Sequence, residues 1–275
     1  MLYDLATGEA LHAERGDFGD DQYLNLSVIG IDPAEGAATI AVSGNRNCDA
    51  ACPPLSLSIL SLDNDAGKRH GISPFATVVL DADVTIFSTT ITLPMRGTPA
   101  RYPFDRYTLT LALGHPAAAA DETNGADDTG ATPVQPFEEQ FHSAIQNQVP
   151  QMVMIPPSAM YPPEIQQQVG PLIVDGALQL EFRRPSYLMT LSVMLILLVT
   201  TSSAITVLTQ PLSRLTTSVG SLIIATWGVR AVLNPQGFSL VSGVDLALSG
   251  VILLLLVGLL LRVALSLLRK ERRSQ

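Results

Sequence analysis

The sequence is poor in several things at once. Only two of its 275 residues are cysteine, one is tryptophan, and aromatics make up 5%. Two cysteines are too few for a disulfide scaffold. The four histidines, His12, His70, His115 and His142, are scattered, and none stands in a zinc-binding spacing. There is no Gly-x-Ser-x-Gly, no phosphate loop and no glycine-rich dinucleotide fingerprint. Nothing here supports an enzyme or a cofactor. An enzyme whose pocket carries no motif is the third class to weigh.

Charge is missing unevenly. Residues 1–185 hold 23 acidic and 9 basic side chains, and residues 186–275 hold 2 acidic and 7 basic. The first part thus carries −14 and the second +5, which together give the net −9. An asymmetry of this size indicates two environments. The acidic part would repel a phosphate backbone and release no counterions, so nucleic acid is excluded as a partner.

What the last ninety residues have instead is long apolar runs. Tyr187–Leu208 is uncharged, and Leu240–Leu268 includes Val251–Leu261 with no polar side chain. Each is long enough for ~30 Å of hydrocarbon at ~1.5 Å per residue. Between them Leu212–Leu233 is weaker, with Arg214 near its start and Arg230 near its end. The basic tail Arg269-Lys-Glu-Arg-Arg273 belongs in the cytoplasm. The uncharged connection Asn234–Ser239 suits the outside. These signs agree with three transmembrane helices in residues 183–275, the lipid bilayer as partner, and the N-terminal domain outside. That domain requires a translocation signal, and residues 1–25 have neither a basic n-region nor an apolar h-region. The expectation is a helix preceding Met1.

Arg230 and Asp245 fall at similar depth near the outer ends of their spans, which predicts an ion pair, since charges inside a membrane need partners. Arg262, near the inner end, is expected to reach the interface by itself. The second span also carries a small, polar face: Arg214, Ser218, Ser221, Ala225 and Gly228 at helical spacing, with Thr217 beside them. Close helix packing is the general explanation of such a face. The lining of a water-filled pore in a homo-oligomer is the sharper one.

Residues 21–182 read as an antiparallel β-sandwich. Period-two alternation marks strands at 23–29, 38–42, 55–62, 77–81, 83–87, 89–93, 107–113 and 173–182. Asp81 and Asp83 would share one strand face. Residues 1–20 are expected to be loose, 114–136 to form a disordered insert, and 149–171, rich in Pro and Gln, to be irregular. Cys48 and Cys52 can close a small disulfide loop if this domain is extracytoplasmic; the alternative is two free buried thiols.

One stretch is unlike the rest: Arg101-Tyr-Pro-Phe-Asp-Arg-Tyr107. Pro103 fixes a turn before a strand. Tyr102 and Phe104 can plug the end of the sandwich, and Asp105 can accept from turn amides, Arg101 or Arg106. Tyr102-Pro-Phe-Asp-Arg-Tyr107, with Arg184-Pro185 opening a membrane domain, Asn234-Pro-Gln-Gly-Phe238 and Asp245, resembles an uncharacterised family of bacterial and fungal membrane proteins, a domain of unknown function. The likeness spans about Tyr23 to Leu265. It implies a membrane protein with an N-terminal helix and no assigned activity or ligand.

A weaker resemblance is to the pentameric ligand-gated ion channels. They share a Tyr/Phe-Pro-Phe-Asp turn, a basic junction like Glu181-Phe-Arg-Arg184, a small polar second span like Thr216–Gly228, and a Pro in the next connection, here Pro235. That likeness implies a pentamer with the second span along the axis. The departures are three spans rather than four, no proline inside the first span, no tryptophan before the membrane, and Trp227 and Arg230 within the second span. The reading is therefore a binding, sensing or scaffolding envelope protein, with a channel-like oligomer as the alternative.

Overall fold

A computed structural model describes residues 2–4, 7–11, 22–48, 52, 54–63, 68, 71–116, 142–160, 172–233 and 242–274. The chain divides into two compact units. The first comprises Met1–Gly97 and Arg106–Arg183, and the second Thr98–Asp105 and Arg184–Gln275.

The first unit is built from strands whose alternation supplies one apolar face each. The core strands are β3 (Tyr23–Asp32), β4 (Ala37–Asn45), β5 (Leu55–Ser61), β6 (Phe75–Leu80), β7 (Ile86–Pro94), β9 (Arg106–Pro116) and β13 (Leu172–Arg183). Shorter strands are β1 (Leu2–Asp4), β2 (Ala10–Leu11), β8 (Arg96–Gly97), β10 (His142–Asn147), β11 (Val153–Met154) and β12 (Ser158–Ala159). One sheet runs β2-β1-β10-β3-β4-β7 and the other β11-β13-β9-β5-β6, with β12 on β13 and β8 on β9. Leu24, Leu26 and Val28 of β3 and Ile40 and Val42 of β4 share one buried cluster with Leu109 and Leu111 of β9 and Leu178, Leu180 and Phe182 of β13. Both sheets therefore turn a face to a single core, as period-two burial requires. At the β3–β4 turn, Asp32 Oδ1 accepts from the amides of Ala34 and Glu35, and Gly36 takes φ 61°.

Four expectations change. The sandwich is not wholly antiparallel: β10 pairs parallel to β3, from His142 beside Tyr23 to Asn147 beside Val28. The two short strands expected over 83–93 are one, β7, and Asp81 and Asp83 lie ahead of it in the turn after β6, Asp83 with φ 67°. Residues 2–4 and 10–11, expected loose, pair as β1 and β2, while 12–21 lie outside the described residues. Residues 114–116 of the expected insert continue β9 opposite 172–174, and 117–141 are outside the described residues, as are 161–171 of the Pro/Gln-rich stretch.

The second unit is helical: α1 (Ser186–Thr209), α2 (Leu212–Leu233) and α3 (Gly243–Ser274). Ser186–Thr209 and Gly243–Leu268 are long and apolar enough to cross a membrane. Leu215 and Val219 of α2 are buried against Val199 of α1 and Val251 and Leu255 of α3. Gly258 of α3 lies so close to α1 that a Cβ there would come 2.7 Å from Val207 Cγ1. Small residues at such crossings let apolar helices approach. The 234–241 connection lies outside the described residues.

Candidate functional site

The segment Thr98–Asp105 runs from β8 to β9, yet it belongs to the helical unit. Its backbone winds tightly. Pro99–Arg101 form a 3-10 turn, the amides of Arg101 and Tyr102 donate to Thr98 O and Pro99 O, and Phe104 N donates to Arg101 O at 2.7 Å. The Tyr102–Pro103 peptide is cis. This winding points Tyr102 and Asp105 inward and Phe104 outward.

Inside, Tyr102 (7% exposed) packs on Val244 and Leu248 of α3. A Cβ on Gly243 would stand 3.3 Å from Tyr102 O, so glycine opens the first turn of α3 to the segment. Asp105 is 1% exposed and Arg184 5% exposed. Arg184 Nε donates to Asp105 Oδ2 at 3.3 Å, and its guanidinium lies 5.2 Å from the Tyr102 ring centroid. The cation is thus held by a carboxylate on one side and an aromatic face on the other. Burial pushes the Tyr102 phenol up, with Arg184 pulling it down and Asp105 adding a smaller upward push. Asp105 Oδ1 is buried and has no hydrogen-bond partner among the described residues.

This differs from the sequence expectation in two ways. Asp105 takes neither neighbour: Arg101 is exposed, and Arg106 lies 3.6 Å from Glu181. Phe104, expected to be covered together with Tyr102, is 53% exposed, while Tyr102 packs on α3 within the helical unit. The missed residue, Arg184, is 79 positions away from its partner. The sequence marks Arg184 in the junction before Pro185 and the first apolar run, but nothing local pairs it with Asp105.

The other end of α2 and the start of α3 hold a second charged cluster. Arg230 Nε donates to Asp245 Oδ1, and the guanidinium lies 5.2 Å from the Trp227 ring centroid. Asp245 also closes the N-terminus of α3: Ser242 N and Oγ donate to Asp245 Oδ2 at 3.1 and 3.0 Å, and Asp245 N donates to Ser242 Oγ at 3.2 Å. At the opposite end of the bundle Arg262 does not go to the interface alone. It donates to the carbonyls of Leu208 and Gln210, where a cation satisfies the orphan acceptors ending α1.

The polar face of α2 turns away from the other two helices. Arg214, Thr217, Ser221, Ala225 and Gly228 are exposed, Ser218 is half-buried, and both Gly220 and Gly228 face open space. Ser218 Oγ donates to Gln210 Oε1, and Ser221 Oγ to Ser218 O at 2.9 Å. The packing of this chain's own helices therefore does not explain the stripe.

In the β unit, the sulfurs of Cys48 and Cys52 are joined at 2.10 Å. A groove of about 350 Å³ lies between β6 and β7, lined by hydroxyls such as Thr77, Ser88 and Thr90 with no titratable side chain. Among the described residues no group of His, Cys, Asp and Glu is placed to hold a metal. His12 and His70 lie outside the described residues.

Residues 71–144 match the model of a family described as Domain of unknown function (DUF4436). The matched stretch holds β6 to β9, with Tyr102–Tyr107 inside it, and stops short of Arg184 and the helices. No curated protein matches the chain.

Proposed function

We propose that the chain crosses the bilayer three times, carries its two-sheet domain outside the cytoplasm, and serves as a non-enzymatic binding, sensing or scaffolding protein of the cell envelope. The observation that carries this reading is the tethering of α2 at both ends. Arg230 joins its last turn to Asp245 of α3, and Arg262 of α3 caps the α1–α2 corner. A 22-residue helix fixed this way runs about 33 Å alongside α1 and α3, so it crosses wherever they cross. The basic tail then favours a cytoplasmic C-terminus, and the Cys48–Cys52 disulfide suits an oxidising compartment outside. Reporters at both ends test the count in a bacterial host. Three spans make a C-terminal fluorescent fusion bright while the two-sheet domain is cut by protease added outside. Finding the domain and the C-terminus on one side sinks the three-span reading.

The outward polar face of α2 favours a second reading, a homo-oligomer of channel-like form with α2 along its axis. Acyl chains are poor solvent for Arg214, Thr217 and Ser221, which suit water or another copy. Mass photometry in detergent reads the stoichiometry. Monomers alone eliminate this reading, whereas a ring of five calls for single-channel recording.

A further inference from the structure

Phe104 is an oddity in its own turn. Its neighbours Tyr102, Pro103 and Asp105 are buried, while its ring is 53% exposed. Two more aromatics of the helical unit share this exposure: Tyr187, 63%, in the first turn of α1, and Trp227, 58%, near the end of α2. All three come to one end of the bundle. Asp105, next to Phe104, holds Arg184, which precedes Tyr187 by three residues. Tyr102 packs on Val244 and Leu248 of α3, and Asp245 between them holds Arg230, which covers Trp227. Residues 188–226 and 239–275 contain no aromatic at all. The distribution is thus one-sided.

Charge at this end has the matching sign. Arg101 is exposed with no ion-pair partner among the described residues, and Arg230 leaves much of its side chain exposed beside Trp227. Exposed aromatics at one level of a helical bundle, with cations among them, fit the headgroup region of a bilayer, where an apolar ring and a wet edge are both satisfied.

We propose that the Phe104 turn is a membrane-contact element: Phe104 enters the outer headgroup–acyl boundary at the level of Tyr187 and Trp227, and Arg101 meets the lipid phosphates, preferring anionic headgroups. The proposal rests on the membrane-spanning reading of the helices. It adds that a turn between two strands, far from any span in sequence, sits in lipid.

Trp227 is the only tryptophan, so fluorescence depth can be read one site at a time. The full-length protein is placed in vesicles of phosphatidylcholine and phosphatidylglycerol with bromine at shallow or deep acyl positions. Trp227 is measured first, then the Phe104→Trp, Trp227→Phe protein. The tryptophan at 104 should be quenched more by shallow than by deep bromines, and aqueous iodide should quench it at least about threefold less than free tryptophan. If Trp227 is quenched by brominated lipid while the tryptophan at 104 responds only to iodide, the proposal fails and the spanning reading stands. If neither responds to brominated lipid, both fall.

The Phe104→Cys protein gives an independent measure, because no free cysteine exists among the described residues to compete for a nitroxide label. Greater collision with oxygen than with an aqueous nickel complex supports lipid contact, and the opposite ratio overturns it. Brominated phosphatidylglycerol should quench the tryptophan at 104 more than brominated phosphatidylcholine at equal mole fraction, and Arg101→Gln should remove the difference. Equal quenching without that substitution overturns the anionic preference.

Discussion

The two units place their ion pairs differently, although the β unit also buries one cation, Arg46, at 4% exposure. In the β unit the ion pairs Arg96–Asp63 and Arg106–Glu181 sit at the surface, and the interior is an apolar cluster of Leu, Ile, Val, Phe and Tyr. In the helical unit Arg184–Asp105 is almost wholly buried, and Arg230 and Arg262 join segments to one another. On the proposed membrane-spanning reading of the helices, the reason lies in solvent. In water, burial of apolar surface drives the sheets together. In lipid that drive between helices is absent, so polar contacts specify which segments meet. The contrast predicts that breaking the ion pairs Arg96–Asp63 and Arg106–Glu181 is cheap and breaking Arg184–Asp105 is costly.

The sharpest test is the buried pair. Asp105→Ala or Arg184→Ala strands a buried charge and should cost about 3–5 kcal/mol, read as loss of thermal stability in nanodiscs. The double variant should fall well short of the sum, with coupling of about 1–3 kcal/mol. Additive losses would break the comparison at its strongest point. In the β unit the matching deletion is apolar: Leu109→Ala, at a fully buried site, should cost about 2–5 kcal/mol.

Glycines separate the faces of the helical bundle. Gly258→Leu meets Val207 and should destabilise by about 1–3 kcal/mol. Gly228→Leu points into open space and should leave the stability of a monomer unchanged. If Gly228→Leu instead dissolves an oligomer on mass photometry, the outward face of α2 is an interface.

Alkali probes the Tyr102 site. A folded-state pKa raised by burial means the neutral phenol is the stable form, so this contribution is full below about pH 10 and is lost as pH rises through the folded value. Tyr102→Phe should flatten that part of an alkaline melting curve. The smallest effect belongs to the surface pairs: Arg96→Ala and Arg106→Ala should each cost under about 1 kcal/mol and lose even that in high salt.

Legibility in the sequence followed the range of the interaction. Strands β3, β4 and β5 and helix α2 could be read because their periodicity is local. The Arg230–Asp245 pair was reachable because one residue lies near the end of an expected helix and the other near the start of the next. β10 was not seen: His142-Ser-Ala-Ile-Gln-Asn147 has little alternation, and its parallel pairing with β3 joins residues about 120 apart in sequence. Asp105 passed over two neighbouring arginines for Arg184, a choice that long-range packing makes. The direction of α2's polar stripe was likewise open, because a helix pattern shows which residues share a face and leaves open what that face meets.

The inclusion of Thr98–Asp105 in the helical unit has a consequence for order of assembly. These eight residues leave the ribosome well before α3, whose Val244 and Leu248 they cover. The helical unit therefore begins with a piece made early and closes only when its last helix arrives. A truncated chain starting at Arg184 would lack the acid that holds Arg184 and the ring that covers the first turns of α3. The unit is discontinuous along the chain, and no single cut releases it whole.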